Sequence, residues 1–190
     1  MGRIACRVDG NAGNGIASRI WKGIKMINAA ATEQKTVVLS INISPGGIPK
    51  IPVDSIRVTI SGLEGDGHNH VKHRTSFQAV CLQDIEKLEE LNREGYPLSM
   101  GTTGENLTVQ NLNVNTLPVG TVLKFSSGVV LELTKVRKPC YVLDSIDPKL
   151  KESIVGRCGA YAKVLREGIL QKGEVIEVIK SSAPVVISQV

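Results

Sequence analysis

The chain has 190 residues, 42% of them hydrophobic and 22% charged, a balance that supports one self-sufficient core and argues against global disorder. No apolar run approaches the ~20 residues of a membrane-crossing helix, and aromatic residues at 3% leave little for base stacking. The net charge of +5 gathers at one end: residues 1–35 hold six basic and two acidic residues, and the remainder 17 and 16, so no face of the body is obliged to bind nucleic acid.

In chain order, residues 1–35 read as a basic leader, flexible or helical. Gly10–Gly15 is turn-rich, and Ile16, Ile20, Ile24 and Ile27 then recur near helical spacing with Arg19, Lys22 and Lys25 among them. A surface helix, an upstream extension starting ahead of Met26, a membrane-surface helix and a transit peptide all fit that pattern. From residue 36 to 180 the pattern turns to short strands. Thr36–Ile43 is β-branched and ends at Ser44-Pro45-Gly46-Gly47; Ser55–Ile60 alternates; Phe77–Leu82, Leu107–Val109, Val122–Phe125, Val129–Leu133 and Ile176–Ile179 follow. Ser126-Ser127-Gly128 predicts a hairpin turn. Asp84 is placed to cap a helix running to about Arg93, and a second helix is expected near Tyr161–Arg166, closed by Gly168. Residues 181–190 read as a tail. Many short strands with few helices predict a mainly β chain, a barrel with helical insertions.

Three clusters carry candidate chemistry. His68, His70 and His73 fall within six positions, after Asp66. This spacing is similar to the metal loop of metallo-β-lactamase-like hydrolases, but Lys72 stands where that loop has an aspartate. Metal ligation, a polar loop, and anion binding with Lys72 and Arg74 remain open for it. Gly101–Leu107 places glycines around two threonines, ahead of Glu105 and Asn106, as either an oxyanion cradle or a structural turn. Finally, Arg137-Lys138-Pro139-Cys140 sets two cations before a cysteine, an order expected to favour the thiolate. Of the other cysteines, Cys81 reads as core, Cys158 as exposed between glycines, and Cys6 has no argued role. The four make no metal-type pair, and reduced thiols in the cytoplasm are expected.

Taken in order, Gly46–Lys50, Gly62–His68, His73-Arg74, Gly104–Leu107, Pro139-Cys140 and Gly156–Val164 resemble the MOSC domain family, named for the C-terminal domain of molybdenum-cofactor sulfurases. The resemblance runs from about Val37 to Val178 and implies a pyruvate-kinase-like β-barrel with one reactive cysteine, here Cys140. It implies a molybdenum cofactor (molybdopterin) held through Cys140, with Lys50, Arg74, Arg137 and Lys138 toward its phosphate or pterin. Asp66, His68 and His73 would shape the pocket, and Glu105 and Asn106 would hold the facing loop. The activity so implied is reduction of small N-hydroxylated substrates with an external redox partner, or sulfur carriage from a pyridoxal-phosphate-dependent cysteine desulfurase. A non-catalytic carrier and a zinc hydrolase built on the histidines are the alternatives. Cys158, where the family suggests a smaller residue, becomes a candidate resolving thiol for Cys140.

Overall fold

The computed structural model describes residues 34–67 and 75–179. Among the described residues eleven strands and two short α-helices form. In chain order they are β1 (Val37–Ile43), β2 (Ile51–Val53), β3 (Ser55–Thr59), β4 (Gly62–Leu63), β5 (Val80–Asp84), α1 (Ile85–Arg93) and β6 (Leu107–Gln110). After them come β7 (Val122–Phe125), β8 (Val130–Val136), α2 (Leu150–Ser153), β9 (Ala160–Arg166), β10 (Gly168–Gln171) and β11 (Ile176–Ile179). The larger sheet has eight strands in the order β11-β7-β8-β9-β5-β6-β1-β2, and β10-β3-β4 form a smaller one. Only β5 and β6 pair in parallel within the larger sheet, with α1 in their connection.

The outer edge of β1 is shared. Residues 41–43 pair with β2, while Val37 bridges Val175, and Ile176 N–H donates to Thr36 O (2.8 Å). The large sheet thereby curls until its first strand meets the lead-in to its last, which gives the mainly β, barrel-like fold.

Side-chain alternation sorts the residues into two cores. Val38, Ile41, Leu82, Leu107, Leu123, Phe125, Leu131, Leu133, Ala160 and Ala162 belong to one buried cluster between the sheets. Leu88 and Leu91 of α1 pack with Leu98, Leu143, Leu150, Ile154 and Cys158 in a second, which caps the outer face of the sheet. Each fully buried leucine contributes roughly 1.5–3 kcal/mol. On β5, Val80 and Leu82 face the first core, so Cys81 and Gln83 face the layer beneath the helical cap. That layer positions the candidate site.

Three expectations are corrected. The segment Tyr161–Arg166 is strand β9, not helix: Ala160, Ala162 and Val164 point inward at period two, and both neighbours, β5 and β8, are antiparallel. Phe77 falls in a 3-10 turn, Ser76–Gln78, and the following strand starts only at Val80. Asp84 does occupy the N-cap position of α1, but its side chain makes no cap hydrogen bond; Oδ2 accepts Val114 N–H across to another loop (2.8 Å). The Ser126–Gly128 turn forms as expected, with Gly128 N–H on Phe125 O (2.8 Å).

Burial raises the Asp84 carboxyl from its ordinary 3.8 to about 6, opposed by the Val114 N–H and reinforced by the charge of Glu86. The unfolded chain therefore loses this proton first as pH rises. The associated stability is complete below about pH 4 and is lost as pH climbs through 6, roughly 3 kcal/mol in all. Asp84→Asn should flatten that segment of the pH–stability curve and stabilise the protein at pH 7. Urea titrations of both proteins between pH 4 and 7 check this; parallel curves would contradict it.

Candidate functional site

Three loops meet around Asp66. The turn after β4 runs so close to Pro45 that a Cβ on Gly67 would lie 1.8 Å from Pro45 O, and Gly67 N–H donates to Ser44 O (2.6 Å). This sets the Asp66 side chain, fully buried, where its Oδ1 accepts Ser44 N–H (2.9 Å). Its Oδ2 accepts Lys50 Nζ (2.5 Å) and Asn106 Nδ2 (2.8 Å). Asn106 in turn ties together β1 and β5, with Nδ2 on Asn42 O (3.3 Å) and Oδ1 accepting Cys81 N–H (3.0 Å). A carboxylate satisfied by a cation and two other donors orders these loops at the cost of desolvation.

Glu105 closes the neighbouring loop. Its buried carboxylate accepts Gly101 N–H (2.6 Å), Thr103 Oγ1 (2.7 Å) and Thr108 Oγ1 (2.9 Å). From Thr108 the buried polar chain continues through Asn42 Nδ2 (3.1 Å) to Ser40 Oγ, which donates to Asn42 Oδ1 (2.7 Å). Glu105 therefore fixes the loop whose Thr103 carbonyl receives the guanidinium of Arg137.

Arg137 turns inward from the end of β8 and is 8% exposed. Its Nη2 donates to Thr103 O (2.6 Å) and its backbone N–H to Gly159 O (2.9 Å), while its Nη1 is buried without a hydrogen-bond partner. Burial works against the guanidinium charge; Cys81, Cys158, Tyr161 and Glu105 all lie within electrostatic reach, and of these the Glu105 carboxylate favours it. A permanently charged group with a bare, buried donor is an anchor for an anion or a carbonyl oxygen.

Cys140 follows in extended conformation and opens the 3-10 turn Tyr141–Ser145, its carbonyl accepting Leu143 N–H (3.1 Å). It is half-buried, whereas Cys81 and Cys158 are buried. Burial pushes the Cys158 thiol up to about 11, against the opposing effect of Arg137, and also pushes up Cys81. Both stay protonated and enclosed at neutral pH, so among the described residues Cys140 is the thiol that reagents can reach. The expected exposure of Cys158 is thus corrected: its side chain is buried in the second core. The flanking glycines do not expose the thiol; Gly159 lets the backbone press onto β5, where a Cβ would lie 2.0 Å from Leu82 O.

The candidates are distributed as follows. Lys50, Asp66 and Asn106 form one buried cluster, and Glu105 and Arg137 are linked through Thr103 beside it. Cys140 lies within electrostatic reach of Cys158 and Tyr161, which also border Arg137. Lys138 is exposed, so the two cations ahead of Cys140 part company: one enters the core and the other faces solvent. His68, His73 and Arg74, together with His70 and Lys72, lie outside the described residues. A cavity of about 680 Å3 opens beside Asp66 and Gly67, lined also by Thr59, Leu63, Glu64 and Thr75. Among the described residues no three His, Cys, Asp or Glu side chains assemble a metal site. Sequence reasoning missed Asn42, Thr108 and Tyr161. The signal for the first two was a polar residue inside an otherwise apolar strand; Tyr161 was hidden by the helical reading of β9.

The fold is a mainly β, barrel-like one with a half-buried thiol three residues after an inward arginine, and comparison supplies the family. The model of the MOSC domain matches residues 68–177, more than half of the chain, and the chain belongs to the MOSC domain family. It is 33% identical over 143 residues to the uncharacterized protein YflK of Bacillus subtilis, covering 70% of this chain and 63% of that protein. It is 29% identical over 132 residues to a protein of Gibberella moniliformis named "Reductase", covering 65% of this chain and 24% of that one. The chain thus spans less than two thirds of either relative's own length. Among solved structures, the YuaD protein of Bacillus subtilis superposes with a TM-score of 0.68 at 20% identity, over 78% of this chain and 98% of that one. YiiM of Geobacillus stearothermophilus gives 0.62 at 25% identity, over 76% and 75%. No helix among the described residues is long and apolar enough to cross a membrane.

Proposed function

We propose that this protein handles the molybdenum cofactor or its sulfur through Cys140. The observation that carries the reading is a reachable thiol, Cys140, three residues after Arg137, whose buried Nη1 has no hydrogen-bond partner. The donor set suits the group: a cysteine sulfur is a soft ligand for molybdenum, and a bare guanidinium nitrogen suits the cofactor's pterin or phosphate oxygens. When bound, the cofactor would supply two-electron redox chemistry for small N-hydroxylated substrates, with electrons from a separate redox partner. The chain's own residues present the sulfur, hold a positive charge away from water, and keep both loops in register through Asp66 and Glu105. The membership of the family and a relative named as a reductase support this reading.

The same thiol suits sulfur carriage. The Cys140 thiolate attacks the terminal sulfur of a desulfurase persulfide, the donor's thiolate leaves, and Cys140 keeps the persulfide without net oxidation.

Anaerobic purification from the native host, with molybdenum and sulfane sulfur measured per chain, tests both. Molybdenum near one per chain, abolished in Cys140→Ser, is the expected result. Sulfane sulfur without metal, also abolished in Cys140→Ser, would assign the carrier role instead. If the variant retains whatever the wild type holds, Cys140 is not the ligand. Stoichiometric zinc in both proteins would point to the histidines.

A further inference from the structure

Strand β8 does not keep one phase along its length. Leu131 and Leu133 pair with Val164 and Ala162 and belong to the barrel core, yet the next paired residue, Lys135, meets Tyr161. At Thr134 β8 therefore holds one residue more than β9. Side chains alternate along a strand, so one extra residue moves everything after it to the opposite face. Without it, Lys135 and Arg137 would follow Leu133 into the apolar core. With it, Val136 takes the phase of Ala160, and Arg137 comes out on the face shared by Lys135, Tyr161 and Cys81. Its guanidinium there hydrogen-bonds the Cys81 sulfur. The Thr134 side chain pins the extra residue on two sides: its hydroxyl donates to Phe77 O in the 3-10 turn and lies 3.2 Å from Tyr161 O on β9.

We propose that Thr134 is the positioning residue of Arg137: its hydroxyl locks the bulge that turns the guanidinium out of the barrel core and into the layer of Cys81 and Tyr161. This rests on the reading of Arg137 and Cys140 as working residues, and assigns the placement of Arg137 to a side chain whose own hydrogen bonds go elsewhere. The bulge itself is forced, because the unbulged register would bury two cations in an apolar core. What the hydroxyl adds is rigidity. A bulged residue drops out of the ladder, and one donor shared between two carbonyls ties it back. Loss of the hydroxyl therefore loosens Arg137 from Thr103 O and Gly159 O while the fold stays as it is.

The test is NMR of the full chain labelled with 15N-arginine, reading hydrogen exchange of the Arg137 guanidinium, assigned by its loss in Arg137→Lys. Thr134→Val replaces the hydroxyl by a methyl of similar size and should speed that exchange about tenfold, the order set by one net hydrogen bond. Thr134→Ser should restore the wild-type rate. Gly173→Ala, in the turn between β10 and β11, carries left-handed strain with nothing within 4 Å of its built Cβ. It lowers stability elsewhere and should leave the Arg137 exchange within about twofold of wild type. Molybdenum and sulfane sulfur per chain, measured on the same proteins, should fall in Thr134→Val and return in Thr134→Ser. An unchanged exchange rate in Thr134→Val overturns the proposal. So does equal acceleration in Gly173→Ala, or a Thr134→Ser that behaves like Thr134→Val. Faster exchange with molybdenum and sulfur contents unmoved would uphold the positioning and count against the functional reading of Arg137.

Discussion

Gly159→Ala is expected to cost more than about 4 kcal/mol, enough to unfold a domain of ordinary stability. The residue has a φ of +82°, and a Cβ there would meet Leu82 O at 2.0 Å and Gln83 Oε1 at 2.7 Å. The first contact is with strand backbone in the centre of the large sheet, which cannot give without breaking the β5–β9 pairing. Gly156 is the control. Its φ is +76°, yet nothing lies within 4 Å of its built Cβ, so Gly156→Ala should cost only the left-handed strain, about 1–2 kcal/mol. Urea midpoints of the two variants separate the cases. Equal losses would mean that the close approach of Gly159 to β5 is not what fixes the Cys158 segment.

Lys50→Met should cost about 3–5 kcal/mol, because it leaves the fully buried Asp66 carboxylate without its cation. Asn106 and Ser44 still donate to that carboxylate, but neutral donors do not replace the lost charge. Adding Asp66→Asn to Lys50→Met should recover part of the loss, since the uncompensated charge is then gone. Lys138→Met, at an exposed lysine of the same candidate set, should stay within about 0.5 kcal/mol of wild type. Denaturant titration of these four proteins gives the comparison. A Lys50→Met variant as stable as Lys138→Met would show that Asp66 is held by its neutral partners alone.

The strands whose burial follows simple alternation were legible. β11 falls at Ile176–Ile179 as read, and the Ser126–Gly128 turn joins β7 to β8. Leu88 and Leu91, on one face of α1, announced the helix. β9 was misread because Tyr161, Val164 and Leu165 also fit a helical spacing; the competing period-two pattern wins only when β5 and β8 flank it. At the site, the residue types were visible but their pairings were not. The family resemblance sets Lys50 toward the cofactor's phosphate, and nothing local reveals that Asp66, three strands further along the chain, ion-pairs with it. Cys158 looked exposed because glycine neighbours ordinarily mark a surface turn, whereas here one of them admits a close backbone approach that buries the thiol. Such pairings depend on long-range closure, which composition and spacing do not encode.

The shared outer edge of β1 has an implication for assembly. One part of that edge is covered by β2, close by in the sequence, but the other waits for residues 173–176. During synthesis every other partner of the large sheet except β11 is already available while this stretch of β1 still presents open backbone groups. A chain arrested before residue 173 is then the species most prone to pair edge to edge with its own copies. Ribosome-stalled chains ending just before and just after that point should therefore differ in aggregation far more than their lengths suggest.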